Sequence, residues 1–211
     1  MQQTLELQRR NIYITDVTYI IQMLQKKDKS KILFFRESSF EIAKLIFDFP
    51  NKVFHLREIA KKTGFSTTAV AQSIAGLQRF DIVRVEKTDV TTNIRANLDS
   101  DAYLFYKKVF NLYRLERHLV IHTLKETFNP DAVVLFGSYA KGEDIEESDI
   151  DVLILTRNKP KRNLAEFIAV CEKELNRKIN LHVMESLEKS SNEFRNAAAN
   201  GTVLYGYLKV V

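Results

Sequence analysis

Cysteine, tryptophan, proline and glycine are all scarce in this sequence of 211 residues, which contains one Cys, no Trp, three Pro and six Gly. A single cysteine, Cys171, excludes an internal disulfide and suits a reducing compartment. Its helical context FIAVCEKEL predicts a core or boundary thiol rather than a nucleophile. The low Pro and Gly content argues against a disordered or fibrous chain. A long uncharged apolar run is missing, and the polar start MQQTLELQRR has no apolar signal core, which together predict a cytoplasmic protein without a membrane span.

The positive charge is concentrated in one part of the chain. The formal net charge is +5, but residues 1–130 hold 21 Lys and Arg against 14 Asp and Glu, whereas residues 131–211 hold 11 against 13. A basic first part suits binding of a polyanion, and a mildly acidic second part suits a metal-dependent chemistry. A solvated basic surface without a polyanionic partner is the alternative interpretation.

The segment after residue 36 is predicted to form three helices. FEIAKLIFDF is amphipathic and ends before Pro50, because the residue preceding a proline is disfavoured in the α conformation. A second helix over residues 56–62 ends near Gly64, since glycine allows the positive φ of a tight turn. Ser66 then predicts the N-cap of a third helix. Two short helices joined in this way form a helix-turn-helix.

The third helix has a predicted core face made by Val70, Ile74 and Leu77, which recur at helical spacing. After it, DIVRVEK and NIRANL alternate apolar and polar residues on either side of TDVTT, which predicts a β-hairpin. The tract HLREIAKKTGFSTTAVAQSIAGLQRFDIVRVEK resembles winged-helix DNA-binding domains, in which such a hairpin is the wing.

The winged-helix resemblance implies a DNA-binding surface. Near the start of the third helix, Thr67, Thr68 and Gln72 would face a major groove, and of these Gln72 is the side chain able to make two hydrogen bonds to a base edge. Phosphate contacts would come from the helix ends and the wing through Lys61, Lys62, Arg79 and Arg95. Weakly selective, salt-sensitive DNA binding is therefore expected. Packing against a partner or a second copy of the chain is the alternative.

Residues 101–128 are predicted to form one continuous helix that ends at Asn129-Pro130. His118 and His122 would share a face of this helix at a spacing of four residues. Position 119 is Leu119 rather than glutamate, so the HExxH metal motif is incomplete. Ordinary surface or boundary histidines are predicted, and the helix serves as a connector.

The hydrophobic period changes at AVVLF, residues 132–136, where a continuous apolar run predicts a strand buried on both faces. Gly137 and Ser138 follow directly and lead into a helical turn. Free backbone amides at this junction can hold phosphate oxygens, and Ser138 adds a hydroxyl donor. Lys141, one turn into the helix, is a candidate point charge for a β or γ phosphate.

Asp149 and Asp151 open a second apolar strand, VLIL. Because side chains alternate along a strand, both carboxylates are expected on one side while Ile150 packs into the core. Two carboxylates placed in this way can share Mg²⁺ or Mn²⁺, which would neutralise charge on a triphosphate. Asp149 and Asp151 are therefore the candidate catalytic and metal-binding residues.

The combination of a strand, Gly-Ser, a helix start and Asp-x-Asp leading a second strand resembles the minimal nucleotidyltransferases of the DNA polymerase β superfamily. The resemblance covers residues 131–206, including GTVLYG near the end. Members usually carry a third carboxylate on the next strand, where the matching strand RKINLHV has Asn180. An amide can ligate a cation through its carbonyl oxygen but cannot accept a proton at neutral pH. The base role would then fall to the substrate or to water, or to His182, which lies two residues on and on the same strand face.

These observations predict an α+β fold with an N-terminal arm over residues 1–35, a winged helix-turn-helix over 36–100, a helical connector over 101–130 and a small mixed-sheet nucleotidyltransferase domain over 131–211. The resemblance implies Mg²⁺-dependent transfer of a nucleoside monophosphate from a triphosphate, expected to be ATP, to a hydroxyl of a macromolecular acceptor. Minimal members are often antitoxins that adenylylate a partner toxin. The alternative is a DNA-binding regulator whose nucleotidyltransferase domain has little or no turnover and senses a nucleotide. A homodimer is compatible with both.

Overall fold

The structure, a computed structural model, describes residues 37–88 and 91–208. The predicted arm over residues 1–35 lies outside these ranges, as do residues 89–90 within TDVTT. The described part of the chain is α+β, with a three-stranded sheet, a four-stranded mixed sheet and helices packed against both. No helix within the described residues is long and apolar enough to cross a membrane.

The first module is built from three helices and the smaller sheet. Its elements in chain order are α1 (Glu37–Asp48), β1 (Phe54–His55), α2 (Leu56–Thr63), α3 (Thr67–Arg79), β2 (Val83–Lys87) and β3 (Thr92–Ala96). The sheet order is β1-β3-β2, and both pairings are antiparallel. The sequence-based prediction lacks β1, because two residues are too few to show strand alternation.

The turn between α2 and α3 follows the local sequence signals. Gly64 adopts φ +76°, and its N–H donates to the carbonyl of Ala60, which closes the left-handed C-cap of α2. The Ser66 hydroxyl accepts a hydrogen bond from the N–H of Ala69 and caps α3. The predicted core face of α3 is confirmed, since three residues are at most 4 % exposed: Val70, Ile74 and Leu77.

The connector is two helices, α4 (Asp101–Arg117) and α5 (Val120–Phe128), so the prediction of one continuous helix was wrong. Leu119 adopts φ +53°, a left-handed conformation that interrupts the helix. The physical reason lies in the packing. The early part of α4 contacts the core of the first module through Tyr103 and Phe110, whereas α5 packs on the core of the larger sheet through Val120 and Leu124.

The break between α4 and α5 also separates the two histidines that the sequence placed on one helix face. His118 is the C-cap of α4, whereas His122 lies within α5. The Nε2 atom of His122 lies 3.3 Å from Oε1 of Glu126 on the exposed side of α5. The two histidines therefore belong to different helices and not to one continuous helix face.

The second module is organised by the larger sheet. Its elements are β4 (Ala132–Phe136), α6 (Gly137–Lys141), β5 (Ile150–Leu155), α7 (Ala165–Leu175), β6 (Ile179–Met184), α8 (Asn192–Ala199) and β7 (Thr202–Gly206). The strand order is β6-β5-β4-β7, with β5 and β6 parallel and the other two pairings antiparallel. The expected mixed sheet is therefore present.

All five residues of β4 are buried because helices cover both faces of the sheet. Val133 and Leu135 pack into the core that α5 and α7 line. Ala132, Val134 and Phe136 pack into a second core, to which Ala198 of α8 belongs. The continuous apolar run AVVLF reflects this two-sided burial. Cys171 on α7 is buried in the first of these cores, as its helical context predicts.

Candidate functional site

Asp149, Asp151 and Asn180 converge at one end of β5. Asp151 pairs directly with Asn180 in the parallel register of β5 and β6. The Nδ2 atom of Asn180 donates one hydrogen bond to Oδ2 of Asp149 and another to Oδ1 of Asp151, each at 3.1 Å. Ile150, between the two aspartates, is fully buried. Strand alternation therefore brings both carboxylates to one side, where they meet a single amide nitrogen.

Gly137 brings the turn after β4 against the same carboxylates. It has φ +76°, and a Cβ atom added to it would lie 2.9 Å from Oδ2 of Asp151. This closeness follows from the sheet register, because Phe136 at the end of β4 is paired with Asp151. The close approach of the turn to Asp151 therefore leaves no room for a side chain at position 137.

Ser138 and Lys141 occupy the two ends of the short helix α6. Ser138 is half-buried beside Gly137, and its carbonyl accepts a hydrogen bond from the N–H of Glu143. Lys141 is the last residue of α6, and its exposed ammonium lies 3.9 Å from Oε2 of Glu143. The structure thus brings Gly137 to the aspartates but places the Lys141 ammonium in solvent beside Glu143.

His182 lies on the same face of β6 as Asn180 and borders the two aspartates. Its Nε2 atom is 3.4 Å from Oδ1 of Asp151. Its ring packs between the rings of Phe136 and Phe194, with centroids 5.3 Å from each. The aromatic neighbours hold the imidazole in one orientation, while a side chain that is 35 % exposed remains accessible to a substrate.

The donor set fits a divalent cation that prefers oxygen ligands. One atom, Nδ2 of Asn180, already lies within hydrogen-bonding distance of both carboxylates, so a cation at a similar place would meet an oxygen from Asp149 and another from Asp151. Rotation of the Asn180 amide would add its carbonyl oxygen. Within the described ranges no group of three or more His, Cys, Asp or Glu side chains is arranged to hold a metal ion, and the third side chain at this site is the amide of Asn180.

A buried charge cluster lies next to this site. Asp144, in the segment that joins α6 to β5, has a side chain that is 2 % exposed. The Nζ atom of Lys107 donates to the backbone carbonyl of Asp144 and lies 3.3 Å from its Oδ2 atom. Burial raises the pKa of Asp144 and lowers that of Lys107, and the mutual attraction of the two groups opposes both shifts. Asn111 donates to Oδ1 of Asp144 at 2.8 Å.

This cluster is absent from the sequence-based predictions, although α4 carries a signal for it. Lys107, Asn111 and Arg114 follow one another at intervals of four and three residues, which places them on one helix face. Tyr103 and Phe110 occupy the same face and are buried with them. Polar residues that share a face with buried aromatics indicate a buried polar network, provided that partners exist elsewhere in the chain.

The residues predicted to contact DNA are all exposed at the surface of the first module. Lys61 and Lys62 lie in the last turn of α2, and Arg95 lies on β3. The full exposed set is Thr67, Thr68, Gln72, Lys61, Lys62, Arg79 and Arg95. These side chains are available to a partner, and none is taken into the core.

Comparison with known proteins assigns the second module. A family model for the nucleotidyltransferase domain matches residues 119–205. The protein MJ1379 of Methanocaldococcus jannaschii, which is named as a protein adenylyltransferase, is 38% identical over 76 residues that make up 35% of this chain and 74% of that protein. The chain therefore belongs to the nucleotidyltransferase family.

Further relatives match shorter stretches. MJ1305 of the same organism, also named as a protein adenylyltransferase, is 45% identical over 42 residues, which are 19% of this chain and 29% of that protein. MJ0141, named in the same way, is 63% identical over 30 residues, or 14% of this chain and 30% of that protein. The chain thus spans less than a third of the length of these two relatives. A crystal structure of a toxin-antitoxin with AMP-PNP is 25% identical, covers 42% of this chain and 71% of that chain, and has a TM-score of 0.33. The family assignment rests on the sequence matches.

Proposed function

We propose that this chain binds a nucleoside triphosphate together with Mg²⁺, or Mn²⁺, and transfers the nucleoside monophosphate to a hydroxyl group of a macromolecular acceptor. The observation that carries the proposal is the convergence of Asp149, Asp151 and Asn180 beside the Gly137 turn, with one amide nitrogen 3.1 Å from both carboxylates. Two carboxylates held on one side of β5, beside an amide on the neighbouring strand β6, would suit a divalent metal that neutralises phosphate charge.

In this proposal each residue has a defined task. Asp149 and Asp151 hold the metal, and Asn180 joins them through its carbonyl oxygen. When bound, the metal neutralises the charge that develops on the phosphates during transfer. The backbone at Gly137 and the hydroxyl of Ser138 donate to phosphate oxygens. Lys141 reaches a terminal phosphate as a point charge from the end of α6, which requires its flexible side chain to leave Glu143.

The chemical step is an in-line displacement at the α-phosphorus. The acceptor oxygen forms a bond to this phosphorus as the bond to the oxygen that bridges to the β-phosphate breaks, and pyrophosphate leaves. The acceptor hydroxyl must lose its proton, and Nε2 of His182 is the proposed proton acceptor because it lies beside Asp151 in an orientation held by two aromatic rings. Asn180 cannot take this role, because an amide does not accept a proton at neutral pH.

The donor is proposed to be ATP and the acceptor a protein. The relatives from Methanocaldococcus jannaschii are named as protein adenylyltransferases, and the second module is small, so the acceptor must bring its own binding surface. A partner toxin is one protein acceptor that fits the minimal members of the superfamily.

Transfer is tested by incubating the full chain with ATP labelled at the α-phosphate, Mg²⁺ and a lysate of the source organism. We expect the label to appear on a discrete protein and to disappear in the Asp149→Asn/Asp151→Asn variant. Asp131→Asn, an exposed aspartate that precedes β4, is the matched control and should label normally. Labelling that persists in the double variant, or a wild-type chain that labels nothing, would refute the proposed transfer.

A second function, DNA binding by the first module as a winged helix-turn-helix, is supported by the exposed basic residues at the ends of α2 and α3 and on the hairpin. A chain that binds DNA and has little turnover would act as a regulator that senses a nucleotide. Gel-shift titration on fragments of its own locus, with salt varied, tests this. Replacing Lys61 and Lys62 with alanine should reduce the slope of log K against log salt by about one per residue, whereas Lys173→Ala on α7 should not. A wild-type chain without a salt-dependent shift would exclude it.

A further inference from the structure

The segment between α6 and β5, residues 142–149, connects the two halves of the candidate nucleotide site. Its first end follows the Gly137 turn, and its last residue is Asp149. The segment contains few internal hydrogen bonds. The N–H of Ser148 donates to the carbonyl of Ile145 at 3.1 Å, and the N–H of Ile145 donates to the Ser148 hydroxyl at 2.9 Å. Its position must therefore be set largely by contacts with other elements.

Helix α4 supplies those contacts. Lys107 holds Asp144 at two points, since its ammonium donates to the backbone carbonyl and lies 3.3 Å from Oδ2 of the carboxylate. Asn111 donates both to Oδ1 of Asp144 at 2.8 Å and to the carbonyl of Tyr139 in α6 at 2.9 Å. Gly142 lies so close to α4 that an added Cβ atom would be 2.5 Å from the carbonyl oxygen of Leu104.

The same cluster also contacts the residues just before β6 and the end of α1 in the first module. Arg177 lies 4.0 Å from Oδ2 of Asp144 and donates to the carbonyl of Asp48 at the end of α1 at 3.2 Å. The next residue, Lys178, accepts a bond of 2.8 Å from the N–H of Ile150, between the two site aspartates. The cluster thus contacts the segments that carry Asp149 and Asn180 without including either residue.

We propose that Lys107 is a positioning residue for the nucleotide site, because it holds the backbone and the carboxylate of Asp144 and thereby sets the distance between the Gly137 turn and Asp149. Stability alone does not account for a lysine here, since buried ion pairs can often be replaced by apolar residues without loss of stability. A methionine would fill the same volume but could not hold the Asp144 carbonyl. This role rests on the proposed nucleotide binding at Asp149 and Asp151.

The test uses the full chain with Lys107→Met, and with Lys107→Met combined with Asp144→Asn, so that the Asp144 carboxylate is not left without its nearest cation if the single variant fails to fold. Lys108→Met, the neighbouring half-buried lysine on α4, is the matched control. Two quantities are measured: hydrogen exchange of the backbone amides of residues 142–150, and the Mg²⁺-dependent affinity for a fluorescent ATP analogue.

We expect the double variant to keep wild-type exchange in β4 but to exchange at least about tenfold faster in residues 142–150, and to bind the analogue about tenfold more weakly. Lys108→Met should match the wild type in both. Unchanged local exchange, or faster exchange with unchanged affinity, would overturn the positioning role alone. If the wild-type chain binds no analogue with Mg²⁺, the proposed nucleotide site fails and the positioning role fails with it, whatever the exchange rates.

Discussion

Asn180→Asp is the substitution that examines the site geometry most closely. Asn180 and aspartate have nearly the same shape, so the change replaces one donor nitrogen with a carboxylate oxygen at the same place. In the structure that atom lies 3.1 Å from Oδ2 of Asp149 and 3.1 Å from Oδ1 of Asp151. The variant therefore loses two hydrogen bonds to carboxylates and gains two close repulsions.

The expected size of the effect follows from these distances. Two unit charges about 4 Å apart repel by about 4 kcal/mol at an effective dielectric constant of about 20, but solvent and proton uptake by the crowded carboxylates reduce this repulsion. Since Asp151 is 29 % exposed, we expect a net loss of about 2 kcal/mol in the free energy of unfolding without metal. With Mg²⁺ the third carboxylate becomes a ligand, and we expect affinity to rise at least about tenfold, or about 1.4 kcal/mol.

The assay is urea unfolding of the wild type and of Asn180→Asp, in EDTA and across a Mg²⁺ series. Asn196→Asp, on an exposed position of α8, controls for the added charge. The stability gap between Asn180→Asp and the wild type should be largest in EDTA and should close as Mg²⁺ is added. A gap that does not respond to Mg²⁺ would refute the metal site, and a variant as stable as the wild type in EDTA would refute the convergence of the three side chains.

Three further predictions concern stability. Gly137→Ala should lower the free energy of unfolding by about 1–3 kcal/mol, because φ is +76° and the new Cβ atom meets an Asp151 oxygen. The control Gly76→Ala, within α3 and with open space around it, should raise this free energy by about 0.5–1 kcal/mol. Equal effects of the two changes in urea unfolding would contradict the turn geometry. Arg114→Met should lower the free energy of unfolding by about 3–5 kcal/mol in the same measurement. The change leaves the carboxylate of Asp48, which lies 2.7 Å from the guanidinium, unpaired at a mostly buried site. A loss below about 1 kcal/mol would contradict this prediction. Burial raises the pKa of the Tyr139 hydroxyl far above its ordinary value. Above about pH 10 the unfolded chain therefore loses this proton while the folded chain keeps it, and the free energy of unfolding should fall by about 1.4 kcal/mol per pH unit. Tyr139→Phe should remove that part of the pH dependence, and a pH dependence that the variant leaves unchanged would contradict this prediction.

Much of the fold could be predicted because short segments carry their own periodicity. Val70, Ile74 and Leu77 mark the inner face of α3 at helical spacing, and AVVLF marks a strand covered on both sides. The site aspartates are similarly local, since alternation along one strand decides that Asp149 and Asp151 share a side. Such patterns depend only on neighbouring residues, so they predict the buried face of an element without knowledge of what packs against it.

The features that the sequence did not reveal depend on distant partners. Strand β1 exists because Phe54 and His55 pair with β3, about forty residues later. The break at Leu119 belongs to a connector that spans two cores, since the early part of α4 packs on the first core while the end of α4 and α5 pack on the second. The burial of Lys107 depends on its partner, Asp144, which lies 37 residues away along the chain. Tertiary contacts override local preference at each of these places.

Asp149 and Asp151, with Asn180 between them, are proposed to form a Mg²⁺-dependent nucleotide site. Calorimetric titration of a non-hydrolysable ATP analogue into the full chain tests it directly, with Mg²⁺ and with EDTA. We expect binding at one site per chain that requires Mg²⁺ and is lost in Asp149→Asn/Asp151→Asn, with the stability of the variant checked by urea unfolding. Binding that is equally strong in EDTA, or that survives in the folded double variant, would contradict it.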